Sequence, residues 1–248
     1  MLREEPYPEQ IAWLSKLNAT KPDIHIDSDI LRMSILCAAV SKVVNGLDEW
    51  AYAALESQIS AATELQQQIQ ALIYEIETWP VAVADLWKPE MLDPGRILRH
   101  QGVVLSPDHP LAYFTCPRML NYSDVWLAYK WNFHAASQIV LRESLSQLIH
   151  FKASVEERML SDDELDILER ERQAVDKLSA TIVRSVPALI LPYGPDNQTA
   201  TPPRGRMTAR LFSLFAMTVL ERSELVSIEH KRFALKLTEW IKSNHGLG

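Results

Sequence analysis

Apolar residues recur three or four positions apart through most of this chain, and glycine and proline fall in a few interruptions; that rhythm predicts helices. The stretch "DSDILRMSILCAAVSKVVNG" reads as the first, with Asp27 or Ser28 placed to cap its start and Gly46 where a left-handed stop is favoured. From Asp48 to Pro80 no internal Gly or Pro interrupts a second, longer run. Its apolar positions Leu55, Ile59, Leu65, Ile69, Leu72, Ile73 and Ile76 make one stripe, and Pro80 ends it.

The rhythm fails between residues 80 and 122. Pro80, Pro89, Pro94, Pro107, Pro110 and Pro117 exclude a long helix there, and "QGVVLSPDHPLAYFT" has room for a short extended segment at most. This reads as a long crossing connection packed by Trp87, Tyr113 and Phe114. Helical periodicity returns from Ser123 to Phe151, with Ser123 or Asp124 as cap. Trp126, Tyr129, Phe133, Ala136 and Val140 form one stripe, and Leu127, Trp131, Leu141, Leu145 and Leu148 cover another. A helix apolar on most sides is surrounded by other helices, so this run is the expected centre of the fold.

After the charged break "KASVEERML", a further helix begins at "SDDELD" and is expected to end at Val186, before Pro187. A polar, proline-rich loop over 192–206 leads to two closing helical runs, "TARLFSLFAMTVLERS" and "ELVSIEHKRFALKLTEWIKSNHG". The expectation is all-α: one domain over 1–248, with six or seven helices around a long central one.

Composition narrows the function more than the fold. Of the 248 residues 47% are hydrophobic and 23% charged, ordinary for a globular domain, and seven glycines against fourteen prolines leave little material for phosphate-cradling loops. A net charge of −7 argues against direct nucleic-acid binding by this chain. Arg204, Arg206 and Arg210 have the chemistry to meet phosphate, but in an acidic chain they read as a loop entering a helix. Cys37 and Cys116 form no Cys-x-x-Cys pair, which suits a reducing compartment, although one long-range disulfide stays open. No apolar run approaches the roughly 18 residues that span a bilayer, and no leader-like segment follows Met1, so the chain is expected to be soluble with no membrane partner.

The Asp-Asp-x-x-Asp spacing of Asp162, Asp163 and Asp166 matches the first magnesium motif of terpenoid synthases. Such enzymes need a second, facing carboxylate and hydroxyl constellation to hold three divalent ions on a diphosphate, and none is found. The local chemistry has a plainer reading. Ser161 and Glu164 have the spacing of a capping box, and Asp162 and Asp163 fall in a first turn where carboxylates complement the helix dipole. Asp166 with Arg170 and Glu169 with Arg172 then pair along a solvated face. Nucleophile-elbow, P-loop and dinucleotide-binding motifs are missing, and the seven histidines, His134 and His150 among them, show no metal-ligand spacing. No cofactor or metal is expected. Trp126, Trp131 and His134 are candidates to line an apolar ligand pocket between helices, although aromatics at this spacing are more often core.

"VWLAYKWNFHAASQIVLRESL" resembles the central segment of the regulatory domain that lies C-terminal to the binuclear zinc cluster in fungal transcription factors. Trp131, Asn132, Phe133 and Ala135 fit that pattern, while His134 stands at a usual arginine and Gln138 departs from a second one. "LSATIVRSVPALI" is similar to the family's helix ending in Ser-Val-Pro, through Ser185, Val186 and Pro187, and the chain from Ala209 to Gly246 is similar to its closing helices. The resemblance implies a non-enzymatic, all-helical regulatory domain in the nucleus (alternatively the cytoplasm), with protein co-regulators as partners and an apolar small molecule as a candidate ligand. The six-cysteine DNA-binding cluster is not among these residues, so the resemblance implies an excised regulatory domain or a small relative. An α-helical terpenoid-type enzyme and a ligand-free scaffold stand as the alternatives.

Overall fold

The computed structural model describes residues 22–45, 55–78, 88–93, 118–122, 125–190 and 203–245; the side chains of 22–24, 55, 187–188, 203–212 and 244–245 fall outside that description. Six helices hold most of it: α1 (Pro22–Asn45), α2 (Leu55–Thr78), α3 (Val125–Val155), α4 (Asp162–Ile190), α5 (Pro203–Arg222) and α6 (Ile228–His245). Among the described residues two three-residue strands accompany them, β1 (Glu90–Leu92) and β2 (Met119–Asn121), and the fold is all-α. The strands pair antiparallel, Met91 opposite Leu120, so the two ends of the proline-rich connection meet in a small ladder. Trp87, Tyr113, Phe114 and Cys116, and the loop over 192–202, lie outside the described residues.

The chain divides into two compact units, and α3 and α4 each contribute to both. The first unit comprises 1–83 and 137–175. Its core takes Ile26, Met33, Cys37 and Val40 from α1, spaced three to four apart or in multiples of that. It takes Ala62, Ile69, Leu72, Ile73 and Ile76 from α2 and Leu141, Leu145, Leu148 and Ile149 from α3. The second unit comprises 84–136 and 176–248. There Ile182, Val183 and Val186 of α4, Ala216, Met217 and Leu220 of α5, and Phe233, Ala234, Leu237 and Ile241 of α6 are buried. Burying each of the larger side chains contributes about 1.5–3 kcal/mol, and this is what holds the helices in place.

Helix ends depart from the sequence expectation in a consistent way. α1 starts at Pro22 rather than Asp27, and α5 at Pro203 inside the expected loop. Proline suits a first turn, because its missing N–H would go unbonded there in any case. α4 continues through Pro187 to Ile190. An internal proline costs about 3 kcal/mol, but Leu189 and Ile190 beyond it are 6% and 1% exposed, and burying two such side chains offsets that cost. α3 runs four residues past Phe151, to Val155. It closes with the Arg158 N–H donating to the Ala153 carbonyl (3.0 Å) and the Glu157 N–H to that of Ser154 (3.2 Å). Glu157 takes the left-handed conformation, φ 49°, that this paired closure requires and that glycine usually supplies. α6 starts at Ile228, not Glu224, because Ser227 caps it: its Oγ accepts from the His230 N–H at 3.4 Å.

Candidate functional site

α3 is apolar enough to be buried on nearly every side, and it therefore buries its polar side chains too. Lys130, Asn132, His134, Ser137, Arg142, Glu143, Ser144 and Ser146 are all at least nine-tenths buried. Each such group needs a partner, because an unsatisfied buried polar atom costs about 1–3 kcal/mol. The partners show what the helix is built to hold.

In the second unit the stretch "KWNF" meets "SVP". Ser185, fully buried on α4, donates from Oγ toward Asn132 Oδ1 at 2.8 Å and toward the Ile182 carbonyl at 2.7 Å. Asn132 is 2% exposed. Val186 is fully buried beside Ser185 in sequence, while the Pro187 side chain lies outside the described residues. Two segments 53 residues apart are thus joined by a hydrogen bond shielded from water.

Aromatic side chains extend from that contact along α3. Phe133 stacks on Phe215 of α5 with centroids 4.3 Å apart and planes 28° from parallel. Tyr129 follows at 5.7 Å from Phe133 and Trp126 at 5.0 Å from Tyr129. Trp126 ends the series half in solvent, 51% exposed, with Lys130 Nζ 5.6 Å from its ring centroid, close enough for a cation–π attraction. Trp131 lies elsewhere on the helix, roughly 140° around the axis from Trp126 at 100° per residue, and meets the buried His134 edge-on at 6.0 Å. Of the three candidate ligand residues, Trp131 and His134 stand together and Trp126 stands with Tyr129.

The acidic stretch at the head of α4 forms a cap. Ser161 Oγ accepts from the Glu164 N–H (3.3 Å) while Glu164 Oε2 accepts from the Ser161 N–H (2.9 Å). Arg158 grips the same carboxylate with both Nη atoms, at 2.7 and 2.8 Å. Those Arg158 bonds, aided by Ser161, hold Glu164 at a pKa of about 2. Glu169 pairs with Arg172 at 2.8 and 2.9 Å, but Arg170 lies 4.0 Å from Glu171 and not against Asp166. Asp162, Asp163 and Asp166 are exposed, and among the described residues no group of three or more His, Cys, Asp or Glu converges on a metal position.

One polar cluster has almost no signature in the sequence. Arg142, 3% exposed, donates to Glu171, itself nearly buried, and at 2.7 Å to the half-exposed Glu77 of α2. Its only sequence signal is a guanidinium set between Leu141 and Leu145 in an apolar run. Among the described residues no helix is long and apolar enough to cross a membrane.

Comparison with known proteins adds no identity: no family model, no curated protein and no solved structure matches this chain.

Proposed function

We propose that this chain is the regulatory domain of, or a small relative of, a fungal zinc-cluster transcription factor. It acts in the nucleus through contacts with co-regulator proteins, in response to an apolar small molecule, and carries no catalytic function. The observation that most supports this reading is the Ser185–Asn132 hydrogen bond. Two of the stretches that carry the resemblance are far apart in sequence, and a buried bond between them gives Asn132 and Ser185 a structural role in this chain. The reciprocal bonds of Ser161 and Glu164 support reading "SDDELD" as a helix start rather than as the metal motif of the competing terpenoid-type enzyme.

The test is to fuse the chain to a heterologous DNA-binding domain and measure a reporter in a fungal host. A change in reporter output relative to the DNA-binding domain alone is expected. No change, together with magnesium-dependent turnover of a prenyl diphosphate that Asp162→Ala with Asp163→Ala abolishes, overturns the proposal in favour of an enzyme.

A further inference from the structure

Within the first unit α1 and α2 leave an open groove of about 360 Å³, lined by Arg32, Ile35, Leu36, Gln68, Ala71 and Leu72. Its floor is apolar. Leu72 is 2% exposed, Ile35 and Leu36 are partly covered, and Ala71 opens to solvent. At one edge Arg32 makes a two-pronged pair with Glu75, at 2.8 and 2.7 Å, and at 3.8 Å from Asp29. At the other, Gln68 Nε2 donates to Glu64 at 3.1 Å.

We infer that this groove binds a small, neutral, apolar molecule that presents a carbonyl oxygen to Arg32 or Gln68. The inference deepens the proposed ligand-responsive reading and rests on it, while moving the ligand away from Trp126 and Trp131. Size selects a small molecule. The volume lies at the low end of the roughly 300–1,000 Å³ typical of such sites. The lining spans only Arg32 to Leu36 on one helix and Gln68 to Leu72 on the other. Four residue steps rise roughly 6 Å, too short for the i to i+7 anchors of a docked helix.

Charge selects a neutral one. Two carboxylates, Asp29 and Glu75, stand beside the Arg32 guanidinium and a third, Glu64, stands at the Gln68 edge, so an anionic headgroup meets net repulsion. Hydrogen-bond capacity selects the carbonyl. Glu75 engages one N–H on each Arg32 Nη, and a guanidinium has five, so donors remain at the groove edge. The Gln68 amide likewise keeps a second N–H beyond the one given to Glu64.

Benzophenone, a neutral diaryl ketone that inserts into C–H bonds under ultraviolet light, tests this on the full chain. Saturable labelling is expected, mapping by peptide mass spectrometry to 32–36 and 68–72. The anionic analogue 4-benzoylbenzoate should label at least about tenfold less, the equivalent of 1.4 kcal/mol. Ala71→Phe or, independently, Gln68→Trp fills the groove from an exposed position, and either should remove the labelling while leaving the helical circular-dichroism melt unchanged. Labelling that does not saturate, that maps elsewhere, or that survives both substitutions in folded protein overturns the site. Groove labelling with no reporter response to the fused chain sinks the regulatory reading and leaves the site standing. A reporter response without groove labelling does the reverse.

Discussion

Replacing Ser185 by alanine isolates the contact between "KWNF" and "SVP". The single hydroxyl proton of Ser185 serves two acceptors, Asn132 Oδ1 at 2.8 Å and the Ile182 carbonyl at 2.7 Å. Ser185→Ala takes that proton away and leaves Asn132, 2% exposed, with a buried carbonyl oxygen that has lost this donor. The cost is about 1–3 kcal/mol, set by desolvation of an unsatisfied group rather than by the worth of the bond itself. Asn132→Leu is milder, about 1 kcal/mol, because Ser185 keeps the Ile182 carbonyl as an acceptor. The double variant removes both polar groups at once, and apolar replacement of a matched pair is close to neutral.

The expected signature is therefore one of order. Ser185→Ala with Asn132→Leu should be more stable than Ser185→Ala alone. Urea unfolding followed by circular dichroism reads this directly, and for a chain of this length each kcal/mol moves the thermal midpoint by about 2–4 °C. Hydrogen exchange adds a local measure, since protection along 125–136 and 182–190 should fall in the single variant and return in the double. Simple additivity of the two costs, within about 0.5 kcal/mol, would falsify the claim that the two residues depend on each other.

Arg142→Ala should cost about 3–5 kcal/mol, because it strands the nearly buried Glu171 carboxylate, whereas Glu77→Ala, at a half-exposed partner, should cost less than about 1 kcal/mol; chemical denaturation of the two separates them, and equal losses would refute the assignment. Glu157→Gly should stabilise by about 1 kcal/mol, since a left-handed residue with a side chain carries a strain that glycine lacks, and an unchanged midpoint in the same assay counts against the helix stop described. Burial first, and then the charge of Arg184, lowers the His230 pKa against the opposing pull of Asp176 and Glu229. The unfolded chain then binds this proton more readily, so the contribution is intact above about pH 6.5 and declines as pH falls from there toward the folded-state pKa. His230→Gln should flatten the thermal-midpoint slope between pH 7 and 5, and an unaltered slope removes His230 from the acid response.

What could be read in advance follows from which forces are local. Apolar residues at helical spacing report the period of the element and the faces it must hide, so the six helices and the near-complete burial of α3 were legible before any coordinates. The capping box at Ser161 and Glu164 was legible for the same reason, since both partners lie within one turn. The helix ends that misled are those where a longer-range gain overrides a local signal. Pro187 is a stop by its own chemistry, yet burial of Leu189 and Ile190 carries the helix beyond it. Glu157 is not a stop by composition, yet the closure it makes with Ser154 and Ala153 is one that glycine usually signals.

Pairings across many residues leave no periodic trace at all. Periodicity marks Arg142 as an interruption in an apolar run but cannot say that Glu171 and Glu77 answer it. Asn132 and Ser185 stand out only through the family resemblance, and nothing in their spacing shows that one bonds the other. The same reasoning bears on "SDDELD". A spacing match constrains only the carboxylates within one helix, whereas a diphosphate-binding magnesium site is a long-range property requiring facing ligands from another. Here the helix head is already occupied by a reciprocal cap, and Arg158 of the preceding turn neutralises its central carboxylate. Glu164 held at a pKa of about 2 is committed to Arg158 and Ser161, so drawing it toward a cation means breaking four hydrogen bonds made by those two residues. Asp162, Asp163 and Asp166 lie exposed beside that cap, and among the described residues no group of three or more His, Cys, Asp or Glu converges with them; facing ligands, more than the letters themselves, are what separate a metal site from a helix start.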